Sequence, residues 1–322
     1  MSNGQLSAIR RIGRTPFTTP MLVPSYSSRG FPVGSIFELL SPYTTSTCLI
    51  SAYDIHHRLL PRRALFAADL VFFDSGGYEG YASSELSRPA SWSLRAYRRV
   101  LRQLEERTTI VPVTFDYENR RPTAKQFGAS ARLIEKYPMF HWDCLIKPEG
   151  ANSGQVNVNM VVESLPFAPT FAILGFVEQE LGRSILERAR NIARIRRALV
   201  EIGNDLPIHI FGCLDPGLVR YYAMAGADIF DGLQWLRNVI TEGGTIRMST
   251  VIVRDRLWEN DEDLTEAYFQ VHNLDALHRL QTSLRRFAGT GRLSELGLSP
   301  ADQDGSQEFV NQLQSEGNNV RN

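Results

Sequence analysis

Cysteine is scarce, with three in 322 residues. Cys48, Cys144 and Cys213 are far apart and form no CxxC pair, which argues against a disulfide framework and against a cysteine-built zinc site. An excess of either charge is also missing: Lys+Arg and Asp+Glu both number 35, for a formal net charge of zero. A bulk positive field therefore does not mark a nucleic-acid binder, and any such site must rest on a local basic patch. No apolar run approaches the ~20 residues of a membrane span, and no signal-like apolar core opens the sequence. The expectation is a soluble, cytoplasmic chain with no membrane association. What is present, 43% apolar and 22% charged residues, is ordinary globular material that can bury a full core.

Eight short runs rich in Val, Ile and Phe recur: Met21–Tyr26, Thr47–Tyr53, Leu70–Asp74, Thr109–Phe115, Trp142–Lys147, Thr170–Val177, Pro207–Gly212 and Ala227–Asp231. Runs this short and this continuously apolar suit parallel strands buried on both faces. Helical patterns lie between several of them, at Ser91–Arg107, Ala124–Tyr137, Gly182–Ile202 and Pro216–Ala225. The pattern predicts an α/β fold, a closed (β/α)8 barrel of the TIM type, with an open doubly wound sheet as the rival. A β-like segment, Thr245–Val253, follows the Gly243-Gly244 turn, and a long helix is expected over Leu264–Ala288. From Ser299 onward Gln, Asn, Ser, Asp and Gly dominate, a composition read as a disordered tail. The expected organisation is a lead-in over 1–13, the barrel with its terminal helix over 14–298, and the tail over 299–322.

Ionisable residues collect at the ends of the runs. Asp74 ends the third, Asp116 follows the fourth, Lys147 ends the fifth, Glu178 follows the sixth and Asp231 ends the eighth. Active sites of such barrels sit at the C-terminal ends of the strands. A lone aspartate there is most often a helix cap or a turn former, and Asp215-Pro216 fits that bland reading. Asp74 and Asp231 fit it poorly, because each closes an apolar run and is followed by glycine within two residues, where a ligand can approach the backbone.

Asp74-Ser75-Gly76-Gly77-Tyr78 resembles the DSGG(F/Y) motif of tRNA-guanine transglycosylases, barrel enzymes that exchange guanine for a 7-deazaguanine base. Other segments follow in that family's order: Thr15-Pro16 through Met21–Pro24, Ile50–Ile55, Asp116, Phe211-Gly212, Gly226-Ala227-Asp228-Ile229-Phe230-Asp231, Arg237, and His272-Asn273-Leu274 with Arg285–Arg292. The resemblance spans roughly residues 14 to 295. It implies that Asp231 is the nucleophile on C1′ of the target nucleotide, forming a covalent glycosyl-enzyme. It implies that Asp74 moves the proton for the leaving and incoming bases, and that Asp116 reads the Watson–Crick edge of the purine. Tyr78 and Phe211 would sandwich the base, with Ser75, Gly76, Gly175 and Gly212 lining its pocket. Arg237 would orient Asp231 or hold a phosphate.

Three departures qualify the likeness. The family's zinc-binding insert, expected between Val253 and His272, is missing, so no cofactor and no metal are expected. The glutamine of the fifth strand is replaced by Lys147, which can donate to the purine O6 or grip a phosphate. The glycine-rich turn after the sixth strand keeps only Gly175. Together they favour the sister group that installs 7-deazaguanines in DNA (deoxypurine-in-DNA protein A) over a tRNA enzyme. A nucleic-acid-binding subunit without turnover and a nucleoside-acting hydrolase are the other readings. A homodimer or a partner subunit both stay open. The arginines of 95–102 and 188–197 read as solvated helix faces that can also supply a phosphate patch. His56, His57 and His141 lack partners at a metal-ligand spacing.

Overall fold

The computed structural model describes residues 6–80, 92–104, 109–117, 121–150, 153–298 and 300–319. Eight parallel strands build the barrel: β1 (Met21–Tyr26), β2 (Thr47–Ser51), β3 (Leu70–Asp74), β4 (Ile110–Pro112), β5 (Asp143–Ile146), β6 (Ile173–Val177), β7 (Ile208–Phe211) and β8 (Ile229–Gly232). Each strand pairs with its sequence neighbour, and β8 returns to β1 with Val23 opposite Asp231. Between β4 and β5 the ring is joined by one parallel bridge, Val113 to Asp143. There the Thr114 N–H donates to the Asp143 carbonyl at 2.8 Å. The closed α/β barrel is thus observed, and the open sheet is not.

Helices alternate with the strands: α1 (Val33–Leu40), α2 (Ala52–His56), α3 (Gly77–Gly80), α4 (Leu94–Leu101), α5 (Thr123–Lys136), α6 (Val158–Ser164), α7 (Ile185–Glu201) and α8 (Pro216–Met224). The ends of the helix expected over Ser91–Arg107 lie outside the described residues. Local chemistry sets several starts. Asp215 accepts from the N–H groups of Gly217 and Leu218 ahead of Pro216, so it is the cap the bland reading expects. Ser184 caps α7 by accepting from the Glu187 N–H.

Past β8 come α9 (Gln234–Arg237), β9 (Asn238–Thr241), β10 (Gly244–Arg247), α10 (Met248–Arg254) and α11 (Glu262–Thr290), which ends at Gly291 in the left-handed conformation. The expected β-like segment Thr245–Val253 is therefore half right. Its first residues pair antiparallel with β9, but Met248 onward turns helical, burying Met248 and Val251 against Val239 and Phe269. Residues 300–319, expected as a tail without structure, form a further helix, α12 (Pro300–Asn319). Its polar composition conceals a short apolar stripe. Leu313 is buried, Phe309 packs edge-on to Tyr221 at 4.6 Å, and Val310 joins the core. Among the described residues, no helix is long and apolar enough to cross a membrane.

Strand side chains alternate between faces with period two, and this sorts the barrel interior. Met21, Val23, Leu49, Leu70, Phe72, Val111, Val113, Leu145, Ile173, Phe211 and Ile229 form one buried cluster inside the ring. Their partners on the outer face pack under the helices. Carried along each strand, the inward parity also places Ser25, Ser51, Asp74, Asp143, Gly175, His209 and Asp231 on the inner wall.

Candidate active site

The inner wall divides into two chemically different halves. On β1–β3 the acids are served by hydroxyls and backbone. Asp74, partly exposed at the end of β3, accepts from the Gly76 N–H at 2.8 Å. Gly76 holds φ +83°, and a Cβ there would meet Tyr53 at 2.8 Å, so glycine is required for this turn. Glu79 is buried behind it and accepts from Ser27 Oγ at 2.5 Å and Ser51 Oγ at 2.8 Å. Asp54, also buried, accepts from the N–H and hydroxyl of Ser28. Burial, then the charge of Glu79, push the Asp74 carboxyl up to about 8, with Asp116 and Asp231 adding to the rise. Burial and Glu79 raise Asp54 to about 7, and burial raises Glu79.

On β5–β8 the acids meet cations. Asp143 and His209, both fully buried, lie with Oδ2 and Nδ1 2.6 Å apart. Burial alone would lower the imidazole, but Asp143, with a contribution from Asp231, pushes it up to about 9. The other ring nitrogen, Nε2, stands 3.3 Å from Asp231 Oδ1. Asp231 also accepts from Ser25 Oγ at 2.7 Å and from the Gly212 N–H at 3.0 Å. Gly212, at φ +76°, turns the chain so that this N–H faces the carboxylate. The earlier aspartate of the same motif, Asp228, lies before β8 begins. There it is tied to Arg10 and Arg196 and accepts from the Ile208 N–H at 2.8 Å, a stabilising role at the opposite end of the barrel. Arg196 is accordingly buried rather than on a solvated helix face.

The remaining expected residues fall into place unevenly. Ser75 is buried; its hydroxyl accepts from the Asp116 N–H at 3.2 Å and its carbonyl from Trp92 Nε1 at 2.8 Å. A Cβ on Gly77 would come within 2.9 Å of Asp116, so the Gly-Gly step seats that aspartate against the β3 turn. Phe211 stacks on His209 at 3.9 Å, and Tyr78 is 50% exposed with the Arg29 guanidinium 4.0 Å over its ring. Gly175 has no room for a side chain, since a Cβ would lie 2.5 Å from the Phe211 ring and 2.7 Å from Asp143 Oδ1. Lys147 Nζ bonds to Glu180 at 2.8 Å and lies 3.9 Å from Asp116.

Two expectations need correction. Arg237 does not contact Asp231; its guanidinium lies 4.7 Å over Phe31, and Ser25, Gly212 and His209 surround the carboxylate instead. Glu178 does not open to the mouth. It is buried, accepts from Tyr222 at 2.5 Å and pairs with Arg188 at 2.8 Å, which ties β6 to α7 and α8. Trp235 is core, donating to the Ser25 carbonyl at 3.1 Å, whereas Trp258 is exposed.

Sequence reasoning missed His209, Asp143, Glu79 and Ser25. A signal existed for the first: a histidine inside the apolar run Ile208–Phe211, two residues before Phe211 and so on the same face. Among the described residues no cluster of three or more His, Cys, Asp or Glu is arranged to hold a metal. A groove of about 1330 Å³ runs between β9, α10 and α11, lined by Val251, Leu257, Leu264, Tyr268 and Phe269. It contains none of the barrel-mouth acids. No family model and no curated protein matches the chain, so its chemistry is argued from this geometry and from the motifs.

Proposed function

We propose that the chain is a base-exchange transglycosylase that replaces guanine in a polynucleotide, DNA in preference to tRNA, with a 7-deazaguanine. The observation that carries the reading is the pair of carboxylates, Asp74 and Asp231, at the C-terminal ends of β3 and β8. Asp74 is held largely protonated at neutral pH, near enough to Asp231 that the charge of Asp231 contributes to the rise. Two acids whose environments differ in this way can divide acid and nucleophile roles.

In this mechanism an Asp231 oxygen attacks C1′ as the bond from C1′ to guanine N9 breaks. The leaving base takes the bonding pair and the Asp74 proton, and a glycosyl ester remains on Asp231. The incoming 7-deazaguanine gives its N9 proton to Asp74, its nitrogen attacks C1′, and the Asp231 carboxylate is released. Asp116 accepts from the N1–H and 2-amino group of the base, with Phe211 and Tyr78 as stacking surfaces worth about 1–3 kcal/mol each. The base must leave its stack to reach the mouth, so a flipped or single-stranded nucleotide is the substrate. DNA is favoured because the stretch between Val253 and His272, where the tRNA enzymes carry zinc, is here only the short link after α10 and the first turns of α11.

The test is release of guanine from labelled single-stranded DNA, duplex DNA and tRNA in the presence of a 7-deazaguanine base. Release from DNA that disappears in Asp231→Ala supports the proposal. Release unaffected by Asp231→Ala would sink it. Release from tRNA alone would move the substrate assignment and keep the mechanism, and hydrolysis of free nucleosides would replace it with a hydrolase.

A further inference from the structure

We infer that His209, clamped by Asp143, is the positioning residue that fixes Asp231 for attack, a role that rests on the base-exchange reading above. Three observations carry it. The pair is fully buried inside the barrel, where an ionisable couple is costly unless each charge is answered. The immediate ring neighbours of His209 are apolar: Phe211 stacks on the imidazole at 3.9 Å and Phe72 meets it in a T-shaped contact at 5.4 Å. The contact is also directional. Asp143 Oδ2 takes Nδ1, so the second ring nitrogen, Nε2, is left 3.3 Å from Asp231 Oδ1 as a buried group without a hydrogen-bond partner.

The wall is shaped around this line of groups. Gly175 on β6 is the residue that lets the Asp143 carboxylate and the Phe211 ring approach at once. The charged groups facing the imidazole are Asp143 from β5 and Asp231 from β8; β3 offers Phe72 and β6 offers Gly175, neither of them ionisable. With Ser25 Oγ on Oδ2 and the Gly212 N–H on Oδ1, the Asp231 carboxylate is held from both oxygens, and the imidazole Nε2 stands 3.3 Å from Oδ1. An attacking group fixed in this way loses less freedom on reaching the transition state. The positive ring beside it also favours the carboxylate that re-forms when the incoming base displaces the glycosyl ester.

The experiment uses the full chain. Long-range ¹⁵N–¹H correlation of histidine rings should show both His209 nitrogens protonated at pH 7, and Asp143→Asn should return the ring to a neutral tautomer. In the base-release assay His209→Asn, which keeps an amide toward Asp143 and cannot reach Asp231, should lower kcat by about tenfold to a hundredfold with KM for the polynucleotide little changed. His209→Gln, which restores a neutral donor near the place of Nε2, should recover part of the loss; a merely structural role would not separate the two variants. Thermal melting of each variant shows that the protein tested is folded. A neutral His209 at pH 7, or a folded His209→Asn with wild-type kcat and an unchanged pH profile, would overturn the inference. If wild-type protein releases no base from any polynucleotide while the ring is doubly protonated, the base-exchange reading fails and the catalytic role falls with it, but the charged contact stands.

Discussion

The two halves of the barrel mouth use the same residue types and treat them oppositely. On the β1–β3 side, Asp74 at the end of β3, Asp54 on α2 and Glu79 on α3 receive hydroxyls and backbone N–H groups, and all three carboxyls are raised. On β5–β8, Asp143 meets an imidazole, Glu178 meets Arg188, and Asp231 takes two donors with the imidazole 3.3 Å away. Burial acts on both halves and raises Asp143 as well, with His209 working against it; the difference is the partner each half supplies. Asp74, without a cation, is raised and ready as an acid, whereas Asp231 is held at both oxygens by Ser25 and Gly212. One cross-section of one barrel therefore carries the two carboxyls that the proposed glycosyl transfer needs.

Asp74→Asn tests the acid half and should have the largest effect after loss of the nucleophile. Guanine release should fall about a hundredfold to ten-thousandfold. The same variant should melt higher than wild type in alkaline buffer, and the sign follows from linkage. Asp74 is raised from 3.8 to about 8, so the stability tied to its proton is complete below pH 4 and is lost as pH rises through 8. Without that carboxyl the loss is absent, and equal melting temperatures at pH 9 would contradict it. In the wild type, base release should decline as pH rises through about 8 for the same reason. A pH–rate profile flat to pH 9.5 would remove Asp74 from the acid role.

Gly175→Ala tests whether the second half depends on close packing. The new methyl would strike Phe211 and Asp143, so a destabilisation of about 1–3 kcal/mol is expected, together with loss of the doubly protonated His209 signal. Denaturant unfolding measures the first, and a wild-type midpoint would show that the wall has slack. Ser25→Ala removes one donor from Asp231 Oδ2 and should lower kcat by about fivefold to tenfold, the equivalent of ~1 kcal/mol, with KM for the polynucleotide unchanged. Smallest is Arg237→Lys. Because the guanidinium lies over Phe31 and not on Asp231, kcat should stay within about twofold; polynucleotide KM measured against salt should carry any effect.

Much of this was legible before any coordinates. Met21–Tyr26 and Leu70–Asp74 are strands as read, because fully buried parallel strands leave a continuous apolar signature. Asp74 and Asp231 were legible because strand ends of a barrel converge on one mouth. His209 and Asp143 were not, since a pair 66 residues apart in sequence leaves no local spacing; parity along β7 was the available clue. Glu178 looked functional at a strand end until Tyr222 and Arg188, on two different helices, accounted for it. For α12, three apolar residues among many polar ones were too few to read, although Tyr221 and its neighbours suffice to hold them.

The most direct test of the divided mouth is to trap the covalent intermediate. Full-length protein is incubated with guanine-containing DNA without an incoming base, quenched in acid, digested and mapped by mass spectrometry. A deoxyribosyl-linked adduct on the peptide carrying Asp231, absent in Asp231→Ala and slowed in Asp74→Asn, is the expected result. An adduct on another residue, or guanine release with no adduct and undiminished in Asp231→Ala, would contradict it.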